Sequence, residues 1–270
     1  MRVLTLNLWG RRGDWEARRA VISDGLRELQ SDLVAFQEAI VDGEYDQAAD
    51  LLGAGFHYAH QTDREPGEDG VERGQGTSIA SRWPIGDVRE VDLHVTPRTA
   101  GFACTTLVAE IDAPLGRIVF ANHVPSWQLQ FERERELQAV AAARALEEIE
   151  AEHVILAGDF TSDPQSANVS FISGRRSLEG MSVCYRDAWE SVHGAEPGET
   201  FTPENPLLSD WDWPFRRLDY VFVRCGEHGG PTLQVTACER VFEEPVDGVW
   251  ASDHFGVVAD LELPEPRAFD

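Results

Sequence analysis

The 270-residue chain contains no lysine, and all 23 of its Lys/Arg positions are arginine. That absence excludes a Schiff-base lysine, a P-loop lysine and a Ser–Lys dyad. Cysteine is scarce. Cys104, Cys184, Cys225 and Cys238 are widely spaced and include no CxxC pair. This argues against a zinc site or a dense disulfide framework and leaves buried thiols as the expectation. No apolar run approaches the ~20 residues needed to span a bilayer, and no repeat or low-complexity tract is present. The first residues, "MRVLTLNLWG", enter a strand-like alternation at once and show no signal-peptide pattern. The expectation is a cytoplasmic protein.

Acid, by contrast, is abundant: 48 Asp and Glu give a net charge of −25. The resulting negative field favours solubility and repels polyanions. A GC-rich or salt-adapted source accounts equally well for arginine in place of lysine and for the acid excess, so charge alone names no substrate. An apolar fraction of 42% is ordinary for a globular protein. No composition break marks a linker, so one domain over 1–270 is expected.

The hydrophobic pattern alternates strands and helices. "RVLTLNLW" has period two, and Asp14 is positioned to cap a helix over "WEARRAVISDGLRELQ". "DLVAFQEA" reads as the next strand, followed by a helix over roughly 44–54 and an acidic, Gly-rich loop at 61–76. "GTSIASRWPI", "REVDLHV", "FACTTLVAEI" and "GRIVFANHV" suggest a four-strand antiparallel meander. The longest helix is expected over 128–150, then a strand at "HVILAGDF". "RRLDYVFVR", "TLQVTACERVF" and "HFGVVADLEL" supply three more strands. Helices alternating with strands, mixed with strand pairs, predict a mixed-sheet α/β sandwich.

Polar residues collect where these strands end: Asn7, Glu38, His123, Asp159, Asp219 and the pair Asp253–His254. Each has a structural explanation when taken singly. Asn7 can cap a turn, Glu38 can pair with an arginine and His123 can be a satisfied core histidine. Asp159 can cap the following loop, and Asp219 can bond Arg216 or Arg217. Together they suggest more, because open α/β sheets place ligands and catalytic groups at strand ends. Three carboxylates and an amide would make a hard-oxygen pocket suited to Mg²⁺. Two histidines beside it would supply a proton and positive charge for phosphoryl chemistry.

The blocks "TLNLW", "VAFQEA", "GTSIASRWPI", "FANHV", "LAGDF", "RRLDYVFV" and "SDHFGVVADL", in that order from residue 3 to about 263, resemble the endonuclease/exonuclease/phosphatase superfamily. Its members include deoxyribonuclease, abasic-site endonucleases, sphingomyelinases, inositol polyphosphate 5-phosphatases and deadenylases. The resemblance implies a four-layer α/β sandwich, two packed mixed β-sheets with helices outside and the active site at one end. It also implies a Mg²⁺ (or Mn²⁺) held by Glu38, with Asn7 and Asp253 near the same centre. By the same resemblance Asp159 orients or deprotonates the attacking water, His254 contacts the phosphate, and Asp219 holds that histidine. His123 matches a histidine of the deoxyribonuclease and sphingomyelinase branches. The family usually writes GDxN where this chain has "GDFT", so Thr161 stands in place of the asparagine that donates to phosphate or water. Its hydroxyl can still donate, with shorter reach.

Three functions fit this reading. The favoured one is a metal-dependent phosphohydrolase for a small sugar, inositol or headgroup phosphate. The second is a nuclease, less favoured on charge because nucleic-acid affinity comes largely from cations that neutralise phosphates. The third is a catalytically silent binding protein. Trp127, next to "HVPS", together with Trp211, Trp213 and Arg216 in "LLSDWDWPFRRLDY", is expected to line the substrate side of the pocket. Aromatic faces there suit sugars and bases alike.

Overall fold

The computed structural model describes residues 1–67, 71–208, 214, 216–227 and 229–265. Twelve strands form two six-stranded sheets. In the first sheet the order is β11 (Gln234–Val241), β12 (Gly256–Glu262), β1 (Arg2–Asn7), β2 (Leu33–Ile40), β4 (Gln75–Ser81) and β3 (His57–His60). The second runs β5 (Ile85–Asp92), β6 (Thr105–Ala113), β7 (Gly116–Val124), β8 (His153–Asp159), β10 (Asp219–Arg224) and β9 (Tyr185–Asp187). Each sheet has one parallel pair at its centre, β1–β2 and β7–β8, among antiparallel neighbours. A parallel pair needs a long crossover. Helices α1 (Trp15–Leu29) and α3 (Glu132–Glu147) provide the two crossovers. Asp14 caps α1 as expected, its Oδ1 accepting from the Ala17 N–H at 3.2 Å.

Strands that are apolar on both faces dictate the layering. Val3, Ala35, Ile79, Phe120, Ile155, Ala157, Val221 and Val257 meet between the sheets. Leu4, Leu6, Val34 and Phe36 pack outward beneath α1 and α2 (Gln47–Leu52). Val119, Leu156, Phe160, Tyr220 and Phe222 do the same beneath α3 and α4 (Ala167–Ile172). The result is the four-layer sandwich expected. A fifth helix, α5 (Ala188–His193), contributes Ala188 and Trp189 to the core between the sheets. A buried amide clasp crosses that core. Gln37 Nε2 donates to Asn122 Oδ1 at 2.9 Å, and Asn122 Nδ2 donates to the Phe36 carbonyl at 2.8 Å.

The expected four-strand meander is a three-strand one, β5–β6–β7, because β4 pairs with β2 and β3 in the other sheet. The first and last strands meet at the centre of the first sheet, where β12 lies antiparallel to β1. The longest helix starts at Glu132 rather than near 128. The buried Arg135 guanidinium holds the preceding turn in a non-helical path by donating to the carbonyls of Ser126, Gln128 and Leu129.

Candidate active site

Strand parity brings the acids together. On β8 the inward face carries Ile155, Ala157 and then Asp159, and on β10 it carries Val223, Val221 and then Asp219. The two aspartates are direct partners in the ladder. On β1 the inward positions Val3 and Thr5 lead to Asn7. All three polar side chains therefore reach the mouth of the inter-sheet core. Glu38 is different. It follows the inward Gln37 and would point outward with Phe36, but the β2–β4 register shifts between Phe36 and Ala39. Glu38 itself takes a left-handed φ of 53°. This bulge re-aims its carboxylate, and Asn7 Nδ2 donates to Glu38 Oε1 at 3.3 Å and to Asp159 Oδ2 at 3.1 Å.

His254 closes the group. Its Nδ1 lies 2.9 Å from Asp219 Oδ2, and its Nε2 lies 3.9 Å from Asp159 Oδ2. Ligating atoms of Asp159, Asp219 and His254 all fall within 4.8 Å of one another. Burial disfavours charge on the imidazole, but Asp219, by attraction and hydrogen bond, together with Asp159 and Asp253, outweighs it and raises His254 well above its ordinary pKa. The Asp219 carboxylate beside Nδ1 favours the protonated ring. Asp159 is raised too, by burial and by the Asp219 charge, against the attraction of His254 and hydrogen bonds from Thr161 and Asn7. Burial, with repulsion from Glu38, pushes Asp253 up to about 6 despite the opposing His254.

Asn7, Glu38 and Asp253 form a second, oxygen-rich side of the site. Ser252 Oγ donates to the Asn7 carbonyl at 2.7 Å and lies 3.2 Å from Asp253 Oδ1, tying the last loop to the first strand. Glu38 repels the Asp253 carboxylate, and hard-oxygen groups of this kind are the donors a divalent cation takes. Arg12 donates to Glu38 Oε2 at 2.8 Å. The loop carrying it is pinned by the buried Arg18, which donates to the carbonyls of Leu8, Arg12 and Ala251.

Thr161 does not reach outward. Its N–H and its hydroxyl both point at Asp159 Oδ1, at 2.8 and 3.3 Å. The alternative partners named for Asp219 are otherwise engaged. Arg217 pairs with the buried Asp187 at 2.6 Å, and Arg216 faces Asp163 at 3.7 Å. His123 is not hydrogen-bonded to the cluster. Its Nδ1 meets Thr106 Oγ1 at 2.7 Å, its ring lies 4.9 Å from that of Phe160, and Nε2 is buried with no partner. Burial lowers its pKa to about 3. Trp127 is half exposed on the turn after β7, and Trp211 and Trp213 lie outside the described residues.

Two residues of the site carried no signal in the sequence. Thr200 accepts from the N–H groups of Leu218 and Asp219 and donates to Asp219 Oδ2 at 2.5 Å. Asn205 Nδ2 donates to the Ser252 carbonyl at 2.7 Å.

An α/β sandwich with a paired Asp–His and a carboxylate–amide pocket at one mouth defines a class of phosphoric ester hydrolases. The chain matches the model of the Endonuclease/Exonuclease/phosphatase family over residues 4–254, and it belongs to that family. Members are phosphoric ester hydrolases that depend on a divalent metal. No curated protein matches the sequence. Among solved structures, D. rerio TDP2 complexed with single strand DNA product is similar, at 20% identity and a TM-score of 0.74, over 96% of this chain and 97% of that one. The human Nocturnin catalytic domain with bound sulfate anion gives 19% identity and 0.73 over 98% and 94%. An endonuclease/exonuclease/phosphatase from Bacteroides vulgatus gives 20% and 0.71 over 97% and 98%. These likenesses concern the fold. Among the described residues no helix is long and apolar enough to cross a membrane.

Proposed function

We propose that the protein is a Mg²⁺-dependent hydrolase of a small phosphorylated molecule, cleaving its ester by attack of water. The observation that carries the substrate class is where the arginines go. Arg12 is held by Glu38, Arg18 by backbone carbonyls, Arg216 by Asp163 and Arg217 by Asp187. With these side chains engaged inside a very acidic protein, the site has the charge to hold one phosphate rather than a track of them.

In this reading Asn7, Glu38 and Asp253 would hold the cation, which would supply positive charge to offset that of the phosphate. Asp159, oriented by Asn7 and Thr161, accepts the proton of the attacking water. Its raised pKa brings it nearer the range useful for that task. The His254 imidazolium, held by Asp219, presents Nε2–H to the phosphate and stabilises the charge that develops there. Thr200 and Asp219 fix the ring's orientation. In the same reading Trp127 and Arg216 are the residues expected to meet the substrate.

A nuclease is the second reading, supported by the likeness to a TDP2 solved with single-strand DNA product. A screen with Mg²⁺ against sugar, inositol and headgroup phosphates and single- and double-stranded DNA and RNA, at two salt concentrations, separates the two. Small-substrate turnover is expected to change little with salt. Efficient, steeply salt-sensitive nucleic-acid cleavage with no small-phosphate turnover would replace the first reading by the second.

A further inference from the structure

The registers of β9 and β10 continue past Tyr185↔Arg224 to set Cys184 opposite Cys225, at the far end of β10 from Asp219. The Cys225 N–H donates to the Cys184 carbonyl at 2.9 Å, and the two sulfurs lie 3.3 Å apart, thiol to thiol. We propose that Cys184 and Cys225 are a reversible dithiol–disulfide site, oxidised by exchange with a low-molecular-weight disulfide.

The backbone already satisfies the main requirement. Directly opposed antiparallel residues have Cα atoms about 4.5–5.5 Å apart, inside the roughly 4.4–6.8 Å window for a disulfide. Bond formation then needs only side-chain rotation to close the sulfurs. Both residues are half-buried, unlike Cys104 and Cys238, which are buried at 3% and 1% exposure. One side of Cys184 is covered by Gly174, where an added Cβ would sit 3.0 Å from its sulfur. A surface cleft of about 840 Å³ opens beside the pair, large enough to admit a small reagent. Its walls include Glu147, Glu148, Glu150, Glu152 and Glu227, which favour a cationic reagent over an anionic one. Burial, then the neighbouring thiol, pushes Cys225 up to about 12.

The exchange balances in two steps. One sulfur of the pair, losing its proton, attacks the reagent's S–S bond and expels one thiolate, which takes up that proton. The other then gives up its proton and attacks the mixed disulfide, releasing the second thiol. One reagent disulfide becomes two thiols while the protein dithiol becomes a disulfide. The bridge spans 41 residues, a segment that includes Thr200 and Asp219. Cross-linking a loop of that length constrains the unfolded chain, and an oxidised protein should melt about 10 °C higher.

The test treats the full chain with cystamine, and in parallel with oxidised glutathione, and reads intact mass, peptide mass and thermal midpoint. Expected are loss of two hydrogens without retained reagent, a cross-linked pair of peptides containing Cys184 and Cys225, faster reaction with cystamine, and the rise in midpoint. Cys225→Ala should stop at a mixed disulfide on Cys184. Retention of all four thiols, a stable mixed disulfide in the unsubstituted protein, linkage of a different pair, or an unchanged midpoint after cross-linking would each overturn the proposal. The mass readout on the unsubstituted chain needs no variant to fold.

Discussion

Glu38 closes β2 in the first sheet and Asp159 closes β8 in the second, yet the Glu38 side chain is 30% exposed and that of Asp159 only 11%. Glu38 is aimed by a bulge toward Asn7 and Arg12 and stays partly open to solvent. Asp159 continues its strand's inward face and is surrounded by Asn7, Thr161, Asp219 and His254. One strand end is left partly open to solvent, and the other is enclosed. Burial makes charge on the Asp159 carboxylate conditional on its neighbours. In the proposed reading the site has an electrostatic half and a proton half, and the Asn7 amide bonds to both.

Breaking the electrostatic half should have the largest effect. Glu38→Gln, or excess chelator on the unsubstituted protein, is expected to cut hydrolysis of an activated phosphate ester by about 10³-fold or more with the fold retained. Rates untouched by EDTA would remove the cation from the account. The proton half should fail as a unit. Asp219→Asn and His254→Ala are each expected to lower kcat by about 10²–10⁴, and the double variant by little more than the worse single. Losses that multiply in the double variant would show two independent residues.

A smaller effect sharpens the contrast through His123, which shares the burial of Asp159 without a carboxylate partner. Its folded pKa of about 3 lies below the ordinary 6.5. Between those values the unfolded chain binds a proton that the folded chain refuses, so stability falls as pH drops below 6.5. At pH 5 the cost is about 2 kcal/mol. His123→Gln should shrink the difference in urea midpoint between pH 7 and pH 5, and an unaltered difference would contradict the assignment. The smallest effect expected is at Thr161. A β-branched residue at φ 48° is strained, and asparagine tolerates that region better. Thr161→Asn should stabilise by about 1 kcal/mol, read as a raised midpoint. A loss would mean that the hydroxyl on Asp159 outweighs the strain.

Much of this was legible from the strand ends. Asn7, Asp159 and Asp219 terminate runs whose period-two pattern decides their face, and the His254 block follows the same logic. What escaped was what parity and propensity do not encode. The short edge strands β3 and β9, and the six-residue helices α4 and α5, are too brief for a period to register. β4 reads like the strands that follow it, since "SRWPI" marks a break without saying which sheet the next strand joins. Thr200 lies in an irregular stretch, and its role exists only once β10 brings Asp219 beneath it. The bulge at Glu38 is a further case, because alternation alone turns that carboxylate to the wrong face.

The pairing of β1 with β12 sets a timetable for synthesis. The Met1 amino group donates to the carbonyl of Leu261, 260 residues away, so the middle of the first sheet waits for the end of the chain. A nascent chain can gather β5–β8 and α3 early, from contacts near in sequence, but Asn7 meets Ser252 and Asp219 meets His254 only at the last stage. Such distant pairings are slow to form. The candidate site is therefore among the final features to mature, and a chain ending before residue 250 would have the strands of the second sheet but a first sheet without β12 and a site without Asp253 and His254.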